Sequence, residues 1–416
     1  MRSSGAHRIL LAAAALLALA AAPVMADYDA GLAYFRQGKF VESAAEWEGV
    51  IANAPEYAYA YYMLGNCYLK LKKYRDAEPQ FRKAAELDPG KFNYHLNLAQ
   101  TLMALRKYPE TVNVLDEAEN LATSSKEKTR LHRLRGLSLV RTKDYSRAVE
   151  DLKQANPAGN HQVASNLARA CYQVNDFNCL KDAASKALKL DATDEATASL
   201  LVRATLERAR RTKDKARKKA TYKQAAGFAA KLVAIAKDKV RAHELNGAAL
   251  LGAEDYDKAI AEYRKVLKLA PKNCNAMMNI ATAYQQLAKW DSVIDWAGKA
   301  ASCNPKSHVA YGKIAFAYNK KAKDADKSEQ EVLYSKAIAA ADKALAVKSG
   351  DKWAQQQKQI ARKGIEAKRQ NDAVDADAQR VAAEQEAARR AAEEERKRLE
   401  RWKILQGEKK KKDGGK

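Results

Sequence analysis

The 416-residue chain is short of nearly everything that builds a catalytic centre. It has six histidines, five cysteines and only 7% aromatic residues. No HExxH, paired CxxC, P-loop or GxSxG spacing occurs. The arrangements that hold catalytic zinc, a nucleotide phosphate or an acyl-transfer serine are therefore missing. Beyond the N-terminal segment the histidines are His95, His132, His161, His243 and His308. They are spread along the chain rather than gathered, which argues against a metal or general-base site. No enzyme activity, cofactor or metal is expected. After residues 9–22 there is no further apolar run long enough to span a bilayer.

What the chain has in excess is positive charge, 75 Lys and Arg against 51 Asp and Glu, for a net +24. That favours solubility and attraction to anionic surfaces and says nothing of fold. At the N-terminus Arg2 and Arg8 precede the apolar run Ile9 to Ala22, followed by Pro23 and the small-residue site Val24-Met25-Ala26. As a helix the run reaches about 21 Å against about 30 Å of hydrocarbon. Residues 1–26 therefore read as a cleaved secretory signal of bacterial type, and the mature chain as an exported, periplasmic protein without a transmembrane segment.

Residues 58–91 hold the pattern that organises the rest. With Ala58 as position 1, Tyr61, Leu64, Gly65 and Tyr68 stand at 4, 7, 8 and 11. Tyr74, Ala77, Phe81, Ala84 and Pro89 stand at 17, 20, 24, 27 and 32. Two helical apolar faces alternate bulky with small residues, and Pro89 ends the second helix. The same order precedes this stretch at Gly31, Tyr34, Phe40 and Pro55, and follows it at His95, Leu98, Ala99, Leu102, Tyr108 and Ala118. Further units open at Thr129, His161, Val240 and Cys274, and two units with insertions open near Glu195 and His308. The histidines fall at positions 4 and 1 of these units, as packing or opening residues of first helices.

The pattern resembles the tetratricopeptide repeat. The resemblance implies an all-α fold, an α-solenoid of about nine helix-turn-helix units in a right-handed superhelix over residues 27–350, with insertions at 207–221 and 320–332. The insertions fall in the turn between the two helices of a repeat, where they make the hairpin protrude. In this family positions 2, 5, 6, 9, 12 and 13 of first helices line a peptide groove. Here those positions hold Tyr59, Tyr62, Asn66, Asn97, Arg130, Arg133, Asn166, Arg169, Tyr172, Asn279, Gln285 and Gln286. Asparagine offers an acceptor and two donors to an extended backbone. Asn66 with Asn97 resembles part of a clamp for a C-terminal carboxylate, but Tyr62 stands where that clamp has a lysine and Leu134 where it has an arginine. The bland reading of the asparagines is polar groove residues with no fixed ligand.

Residues 351–406 change to Ala, Glu, Gln, Lys and Arg, with Glu386/Arg390, Glu393/Lys397 and Glu394/Arg398 at i,i+4. A long charged helix of coiled-coil composition is expected. Its a/d positions are thin and mostly alanine, so no sustained seam is predicted. Residues 407–416 read as a disordered basic tail. The repeat register also pairs cysteines. Residues equidistant from a hairpin turn lie side by side, which proposes Cys171 with Cys179 and Cys274 with Cys303 and leaves Cys67 over. The other outstanding feature is the basic run Arg208, Arg210, Arg211, Lys213, Lys215, Arg217, Lys218 and Lys219.

The expectation is a non-enzymatic exported scaffold or assembly factor that binds a protein or peptide in its groove. The rival is a basic adaptor that docks on anionic lipid or cell-wall polymer. The basic clusters lack interleaved aromatics for base stacking, so no nucleic acid is expected.

Overall fold

A computed structural model describes residues 27–413. The predicted signal segment lies outside the described residues. Among these residues all regular structure is helical, and the chain forms two compact units that divide at Arg211/Thr212.

The first unit holds five helix pairs and one further helix. The pairs are α1 (Tyr28–Arg36) with α2 (Phe40–Asn53), α3 (Ala58–Lys70) with α4 (Tyr74–Leu87), and α5 (Phe92–Ala104) with α6 (Tyr108–Glu117). Then come α7 (Ser125–Thr142) with α8 (Tyr145–Gln154), α9 (His161–Gln173) with α10 (Phe177–Leu190), and finally α11 (Glu195–Arg211). The second unit opens with α12 (Lys215–Ile235) and continues through α13 (Val240–Gly252), α14 (Tyr256–Leu269), α15 (Cys274–Gln286), α16 (Trp290–Cys303), α17 (His308–Asp324) and α18 (Lys327–Val347). It ends in the long α19 (Lys352–Asp413). Within each unit a helix packs mainly on the next one in sequence, as in an α-solenoid.

Two local features set the hairpins. At position 15 of seven repeats the backbone enters the left-handed region, at Gly38, Lys72, Arg106, Lys143, Asn175, Glu254 and Ala288. The turn closes there by a 6→1 bond, for example Lys73 N–H to Tyr68 O at 2.8 Å. Inside the hairpin, Gly65 lets Phe81 lie against the α3 backbone. A Cβ at Gly65 would stand 2.8 Å from the Phe81 ring, and Gly247 faces Tyr263 in the same way at 2.9 Å.

The insertions differ from expectation. Their residues do not lengthen the turn as loop. They continue the helices, so that α11 and α17 have 17 residues and α12 and α18 have 21. The residues at position 15 of these repeats, Ala209 and Ala322, stay helical and are buried. The fourth unit also begins earlier than Thr129, because the capping box of Ser124 and Glu127 starts α7 one turn ahead. The C-terminal helix continues through Gly407 to Asp413, beyond the point where composition predicts a tail. Lysine is a good helix former, and a single glycine costs only about 1 kcal/mol.

Candidate functional site

In the first unit the predicted groove residues fall into two groups. Tyr59, Tyr62 and Asn66 lie on α3 and Asn97 on α5. The amide of Asn97 donates to Asn66 Oδ1 at 2.7 Å and approaches the Tyr62 hydroxyl at 3.4 Å. The two asparagines thus bridge neighbouring repeats, and Asn97 is only 8% exposed. Around them runs an aromatic stripe. Tyr62 lies 4.7 Å from Tyr94 and 6.0 Å from Tyr59, ring centre to ring centre, and Tyr59 is 6.0 Å from Tyr28. Burial first, then the Asp88 carboxylate, push the Tyr94 phenol up to about 12, so it remains a hydrogen-bond donor at neutral pH.

The second group is cationic. A cavity of about 650 Å³ opens between α9 and α11, lined by His161, Ser165, Arg169, Asp194, Ser199 and Arg203 among others. Arg169 and Arg203 both occupy position 9 of their repeats. Arg203 lies over the Tyr172 ring at 5.9 Å, and the Tyr172 hydroxyl donates to Glu207 at 2.9 Å. Among the described residues no carboxylate pairs with Arg169, Arg130 or Arg133. Elsewhere in the unit arginines do find acids, as Arg82 does with Glu78 and Glu110, and Arg147 with Asp116. One N–H of the Asn166 amide donates to Gln162 O of its own helix at 2.8 Å, and the second N–H and the carbonyl oxygen remain.

Leu134 keeps the place of the clamp arginine empty. The next residue, Arg135, points the other way and is buried, with 5% exposure. Its guanidinium donates to Asp151 at 2.8 and 2.9 Å, to Asp116 at 2.9 Å and to Glu119 at 3.0 Å, while His132 Nδ1 lies 2.8 Å from Asp151. This network ties repeats together.

In the second unit Asn279, Gln285 and Gln286 lie on α15. Sequence reasoning missed their neighbour Lys313 on α17, whose ammonium donates to Gln285 Oε1 at 2.6 Å. Burial holds that ammonium below its ordinary value, and no carboxylate among the described residues pairs with it. The signal was available, since Lys313 stands at position 6, but reading only the amides at that position hid it.

The histidines bind locally. His243 Nδ1 meets Glu262 at 2.6 Å, and His95 Nε2 meets Pro89 O at 2.9 Å. His161 meets Asp194 at 3.0 Å and His308 meets Asp351 at 2.5 Å. Among the described residues no three His, Cys, Asp or Glu side chains gather as metal ligands. Cys171 is joined to Cys179 and Cys274 to Cys303, with Cα–Cα distances of 5.7 and 5.6 Å, and Cys67 is buried and unpaired.

The basic run is divided. Arg208 stacks 4.4 Å over the Phe177 ring and, with Arg210 and Arg211, closes α11 in the first unit. Lys213, Lys215, Arg217, Lys218 and Lys219 belong to the second. There Asp214 caps α12 by accepting from the Arg217 N–H at 2.7 Å, and Lys219 pairs with Glu254. Glu254 comes from a later repeat, so sequence distance hid this second opposing charge. No helix among the described residues is long and apolar enough to cross a membrane.

Family models of the tetratricopeptide repeat match residues 28–92 and residues 240–273. The mouse "Superkiller complex protein 3" is 25% identical over 285 residues, which is 68% of this chain and 16% of that protein. The "Small glutamine-rich tetratricopeptide repeat-containing protein 2" of Mycosarcoma maydis is 34% identical over 82 residues, 19% of this chain and 23% of that one. The chain thus spans less than a quarter of the length of either curated relative. Among solved structures, that of MamA protein superposes with a TM-score of 0.39 at 19% identity, covering 45% of this chain and 92% of that one.

Proposed function

Because the chain is a tetratricopeptide-repeat protein, we propose that it acts as a scaffold or assembly factor by holding an extended, acidic protein segment along its first helices. The observation that carries the reading is the unpaired charge of the groove. Arg130, Arg133 and Arg169 have no carboxylate partner among the described residues, and the desolvated ammonium of Lys313 has only an amide. A partner carboxylate would complete these pairs, and hydrogen bonds to charged groups are the strong ones. The Asn66–Asn97 pair and the tyrosine hydroxyls beside it suit the partner's backbone and apolar side chains. Action outside the cytoplasm is part of the proposal. It is supported by the N-terminal apolar run and by two cysteine pairs, which persist in oxidising compartments.

Fluorescence anisotropy with labelled extended peptides tests this, one rich in Asp and Glu and one in Lys and Arg. The acidic peptide should bind and the basic one should not. Arg169→Ala with Arg203→Ala should weaken binding by about 2 kcal/mol or more, and Asn66→Ala with Asn97→Ala by on the order of 1 kcal/mol for each bond lost. Helicity should not change in either variant. Equal binding of both peptides, or indifference to both double variants, would move the site elsewhere.

A further inference from the structure

The last helix is two things in sequence. Its first turns cover the end of the second unit. Ala354 and Ala361 are fully buried, Trp353 lies over Gly312, and the Asn319 amide donates to Gln357 O at 2.9 Å. Arg369 pairs with Glu331 and Lys327 with Asp375. This is the covering that a terminal repeat needs. From residue 371 to residue 407 every side chain is exposed.

That exposed stretch is not polar all round. Ala378, Val381, Ala388, Ala392, Leu399 and Trp402 recur at alternating steps of four and three residues, with Val374 one step before them. Gln385 and Glu395 occupy the two remaining places of the series. The stripe covers four heptads, about 42 Å of helix. Val374, Leu399 and Trp402 are 66%, 53% and 58% exposed, so large apolar groups stand in water with none of the described residues over them. In sequence the seam looks too thin in large residues to pair, and what changes the reading is which residues would meet.

We propose that this stretch of α19 pairs with the same stretch of a second copy of the chain, running antiparallel. In that orientation the a and d places of one helix face d and a of the other. The register that puts Leu399 against Val381 also puts Trp402 against Ala378 and Ala388 against Ala392. Large residues then meet small or medium ones, and the helices approach most closely at the centre. The two polar members of the stripe also meet each other, Gln385 donating to the Glu395 carboxylate of the second copy. A polar pair inside a seam is a register device, since any slip leaves both groups unpaired.

A parallel arrangement of the same stripe sets Glu395 against Glu395 and Trp402 against Trp402, placing two like charges inside the seam. The flanks point the same way. The N-terminal half carries Asp377 and Glu384 beside the stripe, the C-terminal half Arg396, Arg398 and Lys403. Antiparallel pairing sets Glu384 against Arg398 twice, once on each side of the two-fold axis. Arg389 meets its own copy near that axis, a like-charged contact left in solvent, where it weighs little. The inference rests on the exposed helix alone and is independent of what the groove binds.

Sedimentation equilibrium of the full-length protein decides it. A monomer–dimer equilibrium is expected, abolished by Leu399→Asp with Trp402→Asp while the helicity read by circular dichroism is kept. Glu384→Arg or Arg398→Glu alone should each weaken the dimer about tenfold, and the two together should restore it. Residues 384 and 398 are about 21 Å apart along one helix, so rescue can only come from contact between copies. A protein monomeric at every concentration overturns the proposal, as does a dimer indifferent to the Leu399 and Trp402 changes. So does a dimer tightened by Arg398→Glu, because in a parallel pair that change would place the new acid beside Lys403.

Discussion

At the scale of single residues, the hairpins depend on a small side chain facing a large one. Gly65 is the sharpest case, because the Phe81 ring occupies the space a Cβ would need. Gly65→Ala should lower stability by about 1–3 kcal/mol, the usual range for overpacking a close contact. Denaturant midpoints measure this, and Phe81→Leu in the alanine background should recover part of the loss. An unchanged midpoint would mean that the hairpin opens there without strain. This pairing was legible in the sequence, since Gly65 and Phe81 stand at fixed places in a repeated order. The turn residues were not. Lys72, Glu254 and Ala288 take a backbone conformation that favours glycine, and of the seven only Gly38 and Asn175 advertise it.

At the scale of elements, first helices of successive repeats are tied by a histidine and a capping aspartate. Asp194 accepts from the Thr197 N–H at 3.0 Å at the start of α11 and meets His161 at the start of α9. Burial alone would raise its carboxyl, but the Thr197 and His161 hydrogen bonds outweigh it and hold the group below its ordinary value. A carboxyl depressed in the fold stabilises above the unfolded value, about 3.9, and that contribution is lost as pH falls through the folded one. Asp194→Asn keeps a capping side chain and removes the charge. Its unfolding midpoint should therefore fall less steeply than the native one from pH 5 down towards about pH 2. Parallel slopes would dismiss the link. Helix pairing was legible wherever the 34-residue order held. The length of α11 and α17 was not, because no breaker stands at Ala209 or Ala322 and the helices simply continue. The Arg135 network was hidden for another reason. Its acids Asp116, Glu119 and Asp151 come from α6, from the turn after it and from α8, and only folding brings them to one guanidinium.

For the whole molecule, a net charge of +24 makes any anionic surface attractive, and the densest basic run is residues 208–219. If that run docks on such a surface, retention on vesicles of anionic lipid should fall steeply between low and physiological salt, where screening sets in within about 8–10 Å. It should also fall when Lys213, Lys215 and Lys218 are changed to Glu. Retention that ignores both salt and these changes removes the run from the account. In the candidate site, the asparagines and arginines could be read from repeat positions, whereas their pairing state could not, since Asn97 and Asn66 stand 31 residues apart and Lys313 and Gln285 stand 28 apart.

The link between Cys274 and Cys303 has a mechanical consequence. It closes the open end of one hairpin and encloses a sequence separation of 29 residues. Pulled from its two termini, an array held by neighbour contacts gives way hairpin by hairpin, each releasing its full contour. This hairpin can lose its helices and still surrender almost no length, because tension bypasses the loop through the sulfur bridge. About 100 Å of chain stays in reserve there until a reductant arrives, so the extensibility of the molecule is set by the redox state around it.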